Sequence, residues 1–286
     1  MDYYSPLRYP GGKGKLSKFI GNLVESNLLT DGCYVEPYAG GSSVALNLLF
    51  KEYVRSIVIN DLDKAIYSFW YSVLYDTDNL CRMIHDTKVT VGNWEKQRAT
   101  HKQQEGASLL ELGFSTFYLN RTNRSGIINA GIIGGKGQNG HWKIDARFNK
   151  KDLIERIQKI ADFKDRIQLY NLDACQLVNK ISKKIPRKTL FYFDPPYFVK
   201  GKDLYTNFYK YKDHKLVSDT IKELNCHWIV TYDNQPEIKK LYTGFRKVEY
   251  SLNYHAASPK IGSELIIFSK TLHIPRIKRD PKLQFA

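Results

Sequence analysis

The sequence predicts an α/β fold: a mainly parallel sheet covered by helices and interrupted by an insert. Three observations lead there. Short apolar runs that suit buried strands alternate with helical periods near the start of the chain and again through its second half. Between Cys33 and Asp61 a strand, a glycine-rich turn, a helix, a second strand and an acid follow one another, the order of a nucleotide-binding half-unit. Between Lys64 and Lys164 the sheet-like alternation stops.

The elements follow in order. Leu16, Phe19, Ile20, Leu23 and Val24 repeat with a helical period across Lys15 to Leu29. Cys33 to Glu36 reads as a short buried strand, Ser43 to Lys51 as a helix, and Ser56 to Asn60 as a second strand ending in Asp61-Leu62-Asp63. Helical periods over Ala65 to Leu74 and Leu109 to Leu119 belong to the insert, and the Gly/Asn/Lys-rich stretch from Asn120 to Lys150 is expected to form loops with a hairpin. Strands are expected again at Ile167 to Tyr170, Thr189 to Phe193, His227 to Thr231 and Leu265 to Ser269. Phe245 to Leu252 could form another, and Lys215 to Leu224 a helix. The basic tail from Ile274 carries two prolines and is expected to fray. Residues 1–63 and 165–286 are therefore assigned to one domain, and 64–164 to a second inserted in it.

The 286 residues include 44 Lys and Arg against 29 Asp and Glu, a net charge of +15. A field of that sign attracts polyanions and speeds encounter with them, without separating DNA from RNA or an acidic membrane surface. With 42% hydrophobic residues the chain has the apolar surface for a large core, which excludes global disorder. Cys33, Cys81, Cys175 and Cys226 are scattered with no CxxC pair, which argues against a disulfide framework or a structural zinc site, and no metal is expected. Met1 to Pro6 has no apolar signal core and no run approaches the about 20 apolar residues of a membrane span, so a cytoplasmic protein is expected.

The strongest chemical signal is Phe191-Tyr192-Phe193-Asp194-Pro195-Pro196-Tyr197. An apolar strand ends in a carboxylate, at the sheet edge where open α/β folds bind ligands. An amino group on an aromatic ring is a poor nucleophile because its lone pair is delocalised into the ring. Two acceptors on its hydrogens free that lone pair. Asp194 offers one oxygen. The Pro195 carbonyl, its direction restricted by Pro196, offers the other. Tyr197 can stack on the ring. Prolines alone would fit a strand stopped by a turn, but Asp-Pro-Pro-aromatic after an apolar run is more specific.

Four weaker motifs accompany it. Tyr34-Val35-Glu36-Pro37-Tyr38-Ala39-Gly40-Gly41-Ser42-Ser43 places glycines and a helix N-terminus beyond a strand, where backbone approaches a ligand closely. Asp61 stands where an acid would bind ribose hydroxyls. Leu7 to Lys15 contains Tyr9-Pro10-Gly11-Gly12-Lys13, which lacks the Gly-x4-Gly-Lys-Ser/Thr spacing and a preceding strand, so ATP hydrolysis is disfavoured. Lys13 could instead pair with a ligand carboxylate. Asp173 could accept from a bound adenine ring, or serve only as the N-cap of the helix starting near Ala174. The Asn120 to Asn129 segment, with Lys136, Gln138, Asn139, His141, Lys143 and Arg147, holds the side chains that read base edges and grip phosphates. A solvated polar loop explains the same composition.

Taken together and in order, these residues resemble the Dam-type family of DNA adenine methyltransferases. Tyr9-Pro10-Gly11-Gly12-Lys13 resembles the family's N-terminal AdoMet motif, Glu36-Pro37-Tyr38-Ala39-Gly40-Gly41 its glycine-rich motif, Asn60-Asp61 its ribose-binding acid and Asp173 the acid near the cofactor adenine. Asp194-Pro195-Pro196-Tyr197 is its catalytic motif unchanged. The resemblance implies a Rossmann-like AdoMet-methyltransferase sheet of seven strands, one antiparallel, with a mainly helical target-recognition insert. It implies methyl transfer from AdoMet to the 6-amino nitrogen of an adenine flipped out of duplex DNA. Asp194, Pro195, Pro196 and Tyr197 would be catalytic. AdoMet would be held by Tyr9, Pro10, Gly11, Gly12, Lys13, Glu36, Pro37, Tyr38, Ala39, Gly40, Gly41, Ser42, Asp61, Asp173 and Asp194. Arg121, Asn123, Arg124, Asn129, Lys136 and Lys143 would contact DNA. A monomer or weak dimer is expected, and a restriction endonuclease in a separate chain is a partner the family allows.

Two departures bear on this. Ser42 stands where the family often has a third Gly, and Ser can cap the helix that follows. In the GATC-reading branch the segment matching Asn120 to Asn129 carries an aromatic and an arginine; here those positions hold Arg124 and Asn129, so GATC is not carried over. Two other readings stay open. One is methylation of a different amino group, on cytosine, RNA or a protein glutamine. The other is a DNA-binding module without transfer. The acid at 194 favours adenine, since by resemblance the cytosine enzymes more often have Ser there and the RNA or glutamine enzymes Asn.

Overall fold

The computed structural model describes residues 4–8, 13–199, 209–253, 261–275 and 284–285. The chain divides into two compact units: Met1–Gly12 with Asp61–Asn171, and Lys13–Asn60 with Leu172–Ala286. The described strands are β1 (Cys33–Glu36), β2 (Ser56–Asn60), β3 (Ile167–Tyr170), β4 (Thr189–Phe193), β5 (His227–Asp233), β6 (Arg246–Asn253), β7 (Ile261–Phe268) and β8 (Gln284–Phe285). The described α-helices are α1 (Ser17–Ser26), α2 (Ser43–Phe50), α3 (Lys64–Tyr75), α4 (Thr77–Asp86), α5 (Val91–Lys102), α6 (Leu109–Thr122), α7 (Lys150–Ala161), α8 (Ala174–Ile181), α9 (Tyr211–Lys222) and α10 (Pro236–Leu241).

The second unit is a seven-strand mixed sheet in the order β2-β1-β4-β5-β7-β6-β8. The first four strands are parallel; β7 runs against β5, β6 against β7, and β8 against β6. Every residue of β1 and β4 is buried, so these central strands read as unbroken apolar runs rather than alternating ones. The α/β fold with a parallel core and an antiparallel region is the one expected. The reversal of β7 has a consequence for the site. Its early part, not its end, lies beside the carboxyl end of β5, and Glu264 pairs with Asp233. The tail departs from expectation: Gln284 and Phe285 pair with Ser251 and Tyr250 on the backbone edge of β6.

The first unit is built on helices α3 to α7 with β3. Phe69 of α3 stacks on Phe117 of α6, with centroids 5.8 Å apart and planes within 5°. Gly113 permits this approach, since a Cβ there would stand 2.5 Å from the Ser68 carbonyl. Ser108 and Glu111 form a reciprocal capping box that starts α6 where the apolar period starts. The hairpin expected between Asn120 and Lys150 does not form a ladder. One antiparallel bridge, Asn123 with Ile132, stands where it was expected, followed by turns through Gly134 and Gly135 at positive φ. Glycine-rich backbone in left-handed conformations cannot sustain a strand pair there.

Candidate active site

The site lies in the second unit, where β1, β4 and β5 end and β7 begins. Asp194 follows the last residue of β4, and its carboxylate is held on both sides. Thr231 on β5 donates its hydroxyl to Oδ1 at 2.6 Å, and the Lys13 ammonium stands 3.3 Å from Oδ2. Burial pushes the Asp194 carboxyl up from the ordinary carboxylate range, and Lys13 and Thr231 oppose that shift. Lys13 is itself buried. It donates to the Tyr197 hydroxyl at 2.5 Å and lies over that ring, 4.8 Å from its centroid. A second carboxylate, Glu264 Oε2, stands 3.7 Å from the same ammonium and accepts from the Tyr250 hydroxyl.

The prolines do not act alone in fixing the chain after β4. The Phe198 and Val199 amides donate to the two oxygens of Asp233, at 2.9 and 3.0 Å. Asp233 ends β5, so neighbouring parallel strands supply both Asp194 and the anchor of the turn behind Tyr197.

The glycine-rich loop leaves β1 at the same sheet edge. Glu36 closes that strand; it accepts from Tyr34 Oη at 3.0 Å and from the Ala45 amide in the first turn of α2. Burial pushes its carboxyl up to about 8, so Glu36 is largely protonated at neutral pH. Ala39 N donates to Asn60 O at 2.8 Å. The Asn60 amide donates to Pro37 O and Leu172 O at 2.9 Å each and accepts from Leu172 N, which ties the loops after β1 and before α8 together. Tyr38 and Tyr209 hydroxyls meet at 3.2 Å.

Gly40 has φ 45° and Ser42 φ 47°, the left-handed region in which a non-glycine residue is strained. The expected Ser42 cap does not form, because in that conformation its hydroxyl makes no bond to the helix. Glu36 takes the Ala45 amide instead, and Ser42 Oγ is buried without a protein partner. Asp173 caps α8, accepting from Cys175 N and Gln176 N. In the first unit, Asp61 Oδ1 accepts from Asp63 N, in the turn that leads into α3. Tyr9, Pro10, Gly11 and Gly12 lie outside the described residues.

A parallel-sheet edge carrying an acid-Pro-Pro-aromatic turn beside a glycine-rich loop agrees with what comparison with known proteins finds. The family model for D12 class N6 adenine-specific DNA methyltransferases matches residues 9–255. The chain belongs to that family. As a D12 methyltransferase it is an adenine-specific DNA methyltransferase. No curated protein matches it. Among solved structures, it is similar to a protein provisionally named an RNA methyltransferase from Pyrococcus horikoshii, at 12% identity over 92% of this chain and 87% of that one, with a TM-score of 0.43. It is also similar to a Legionella pneumophila protein of the family designated DUF519, at 11% identity over 89% and 84%, with a TM-score of 0.33.

The nucleic-acid candidates of this D12 enzyme lie in its first unit and differ sharply in environment. Asn123 is fully buried. Its Oδ1 accepts from the Trp94 indole at 2.6 Å, and its amide donates to Ile127 O and Ile128 O. Asn120 likewise clamps Arg8, accepting from its amide at 2.7 Å and donating to its carbonyl at 2.8 Å. Arg121 donates to Arg147 O at 2.6 Å, and burial with the nearby Arg8, Arg156 and Arg147 charges pulls its guanidinium down to about 10. Arg124 and Asn129 are exposed. Lys136 pairs with Glu95 at 2.8 Å, and Lys143 donates to Gln138 O at 2.6 Å.

Sequence reasoning missed Thr231, Asp233, Glu264, Tyr250 and Trp142. An acid closing the apolar run of β5 was a visible signal for Asp233, as was the acid inside the run Ile261 to Phe268 for Glu264. Trp142 is 59% exposed, against His141 and under the Arg147 guanidinium. Among the described residues no helix is long and apolar enough to cross a membrane.

Proposed function

We propose that this methyltransferase uses AdoMet to methylate the 6-amino nitrogen of an adenine flipped out of duplex DNA, with residues 64–164 recognising the target. The observation that carries the reading is the carboxylate of Asp194, oriented by Thr231 and Lys13 at the carboxyl edge of a parallel sheet, one strand from the glycine-rich loop after β1. The loop fits the cofactor: two left-handed residues bring backbone to the edge, and Ser42 Oγ is a buried hydroxyl still lacking a partner. Gly40, Gly41, Ser42 and the neutral Glu36 would hold AdoMet on this side. AdoMet, when bound, supplies a methyl group on a sulfonium sulfur that keeps the carbon–sulfur electron pair as the methyl leaves. Asp194 and the Pro195 carbonyl would accept hydrogen bonds from the two amino hydrogens, which frees the lone pair of the nitrogen to form the new bond to carbon. The surplus proton leaves the nitrogen toward Asp194 or water. Positioning supplies much of the rate.

Net charge of +15 favours the approach of DNA, and exposed Arg124, Asn129 and Trp142 offer contacts to base edges and phosphates. The enzyme is read as a cytoplasmic monomer or weak dimer, with or without a separate restriction endonuclease. The test is transfer of tritiated methyl from AdoMet to duplex DNA followed by nucleoside analysis. N6-methyladenine is expected. Asp194→Ala should abolish transfer while part of the AdoMet binding survives; a fully active D194A protein would overturn the assignment.

A further inference from the structure

One buried ammonium stands between two carboxylates. Lys13 Nζ is 3.3 Å from Asp194 Oδ2 and 3.7 Å from Glu264 Oε2, while it also donates to the hydroxyl of Tyr197 and lies over its ring. The oxygen and the ring that the target adenine needs are thus both engaged by Lys13. An arriving amino group competes with that ammonium for Oδ2 and can displace it from Asp194. A buried cation left without a partner is costly, so the displacement is feasible only if a second anion is at hand.

Glu264, 3.7 Å from the ammonium, is placed to be that anion. It is 2% exposed, on β7, and Tyr250, directly opposite it in the β6–β7 register, donates to the Oε2 that faces Lys13. Tyr250 is 1% exposed. A carboxylate fixed this deeply, on a strand buried along Glu264–Phe268, is retained against a desolvation cost that a neutral side chain would avoid.

We infer that Glu264 is a positioning residue: it receives the Lys13 ammonium when the target adenine takes over Asp194. No bond breaks and no proton moves in this handover; an ion pair changes partner, and Asp194 remains a carboxylate ready for the amino hydrogens. The inference rests on the proposed adenine chemistry at Asp194.

The experiment measures single-turnover methyl transfer at saturating AdoMet and duplex DNA. It compares the wild-type chain with Glu264→Gln, Glu264→Asp, Lys13→Gln and the double variant K13Q/E264Q, with AdoMet affinity by calorimetry and melting temperature measured for each. E264Q should be at least about tenfold slower, equivalent to about 1.4 kcal/mol, with AdoMet affinity and melting temperature close to wild type. E264D should recover part of the rate. In the K13Q background, which has no ammonium to hand over, E264Q should cost less than about threefold more. E264Q at wild-type rate overturns the inference. So does a full E264Q penalty in the K13Q background, or a penalty that tracks lost AdoMet affinity or folding. If K13Q is inactive, the E264Q and E264D rates set against their AdoMet affinities decide alone. A wild-type chain that transfers no methyl to adenine defeats the proposed function instead.

Discussion

Thr231 Oγ1 donates to Asp194 Oδ1 at 2.6 Å, linking the carboxyl ends of the adjacent parallel strands β4 and β5. The Tyr192 hydroxyl lies 3.0 Å from the same Thr231 oxygen, so the donor is itself oriented. Strand register therefore aims the Asp194 carboxylate.

Thr231→Val should remove that aim while keeping the shape of the side chain. The rate of methyl transfer should fall by about tenfold, a loss of about 1.4 kcal/mol. The sign of the pH effect follows from the electrostatics. The proposed mechanism requires the carboxylate, burial raises the Asp194 pKa, and the Thr231 hydrogen bond lowers it. Without the bond the pKa rises, so the acid limb of the rate profile should move to higher pH. An unshifted limb in a slowed T231V enzyme would show that the hydroxyl acts only through packing.

Asp233 anchors the turn behind Tyr197 with two backbone bonds. Asp233→Ala leaves both amides without their charged acceptor, at a cost of roughly 1.5–3 kcal/mol. Urea unfolding should register that loss, and methyl transfer should fall with it as Tyr197 loses its support. Unchanged unfolding would mean that the turn is held by other contacts.

Glu36 gives a stability test. Its carboxyl is pushed up to about 8 in the fold, against an unperturbed value of 4.5. The folded state therefore holds its proton more tightly than the unfolded chain, and that contribution to stability is fully present below the unfolded pKa. It is lost as pH rises toward about 8, at about 1.4 kcal/mol for each tenfold difference in proton affinity. Glu36→Gln should flatten this decline between pH 4.5 and about 8, read as melting temperature against pH. Parallel curves for the two proteins would refute the assignment.

In the first unit, buried and exposed residues should separate. Asn123→Ala strands the Trp94 indole N–H, and should destabilise the protein by about 1–3 kcal/mol. Arg124→Ala and Trp142→Ala change exposed side chains. They should leave the melting temperature within about 2 °C of wild type and weaken DNA binding. Lys143→Ala should lower the slope of log affinity against log salt by about one if the ammonium meets a phosphate. Binding and slope unchanged in all three would move the DNA surface elsewhere.

Much of the fold was legible in the chain because its signals are local. β1, β2, β3 and β4 begin and end where their apolar runs do, and the capping box that opens α6 is written in Ser108 and Glu111. Asp194-Pro195-Pro196-Tyr197 could be read because strand, acid and turn are contiguous. The glycine-rich stretch after Asn120 misled in the other direction: its composition signals turns, and nothing in it says whether two arms will pair.

Local patterns in the chain are enough to name the parts: the parallel core, the loop after β1, the acid after β4 and the basic surplus. Folding alone settles who surrounds that acid. Thr231 and Lys13 reach its oxygens, and Glu264 and Tyr250 stand behind Lys13, all from distant points in the chain and brought together by strand order and by the reversal of β7. Register is a property of paired strands, and a buried charge finds its partner only once that pairing exists.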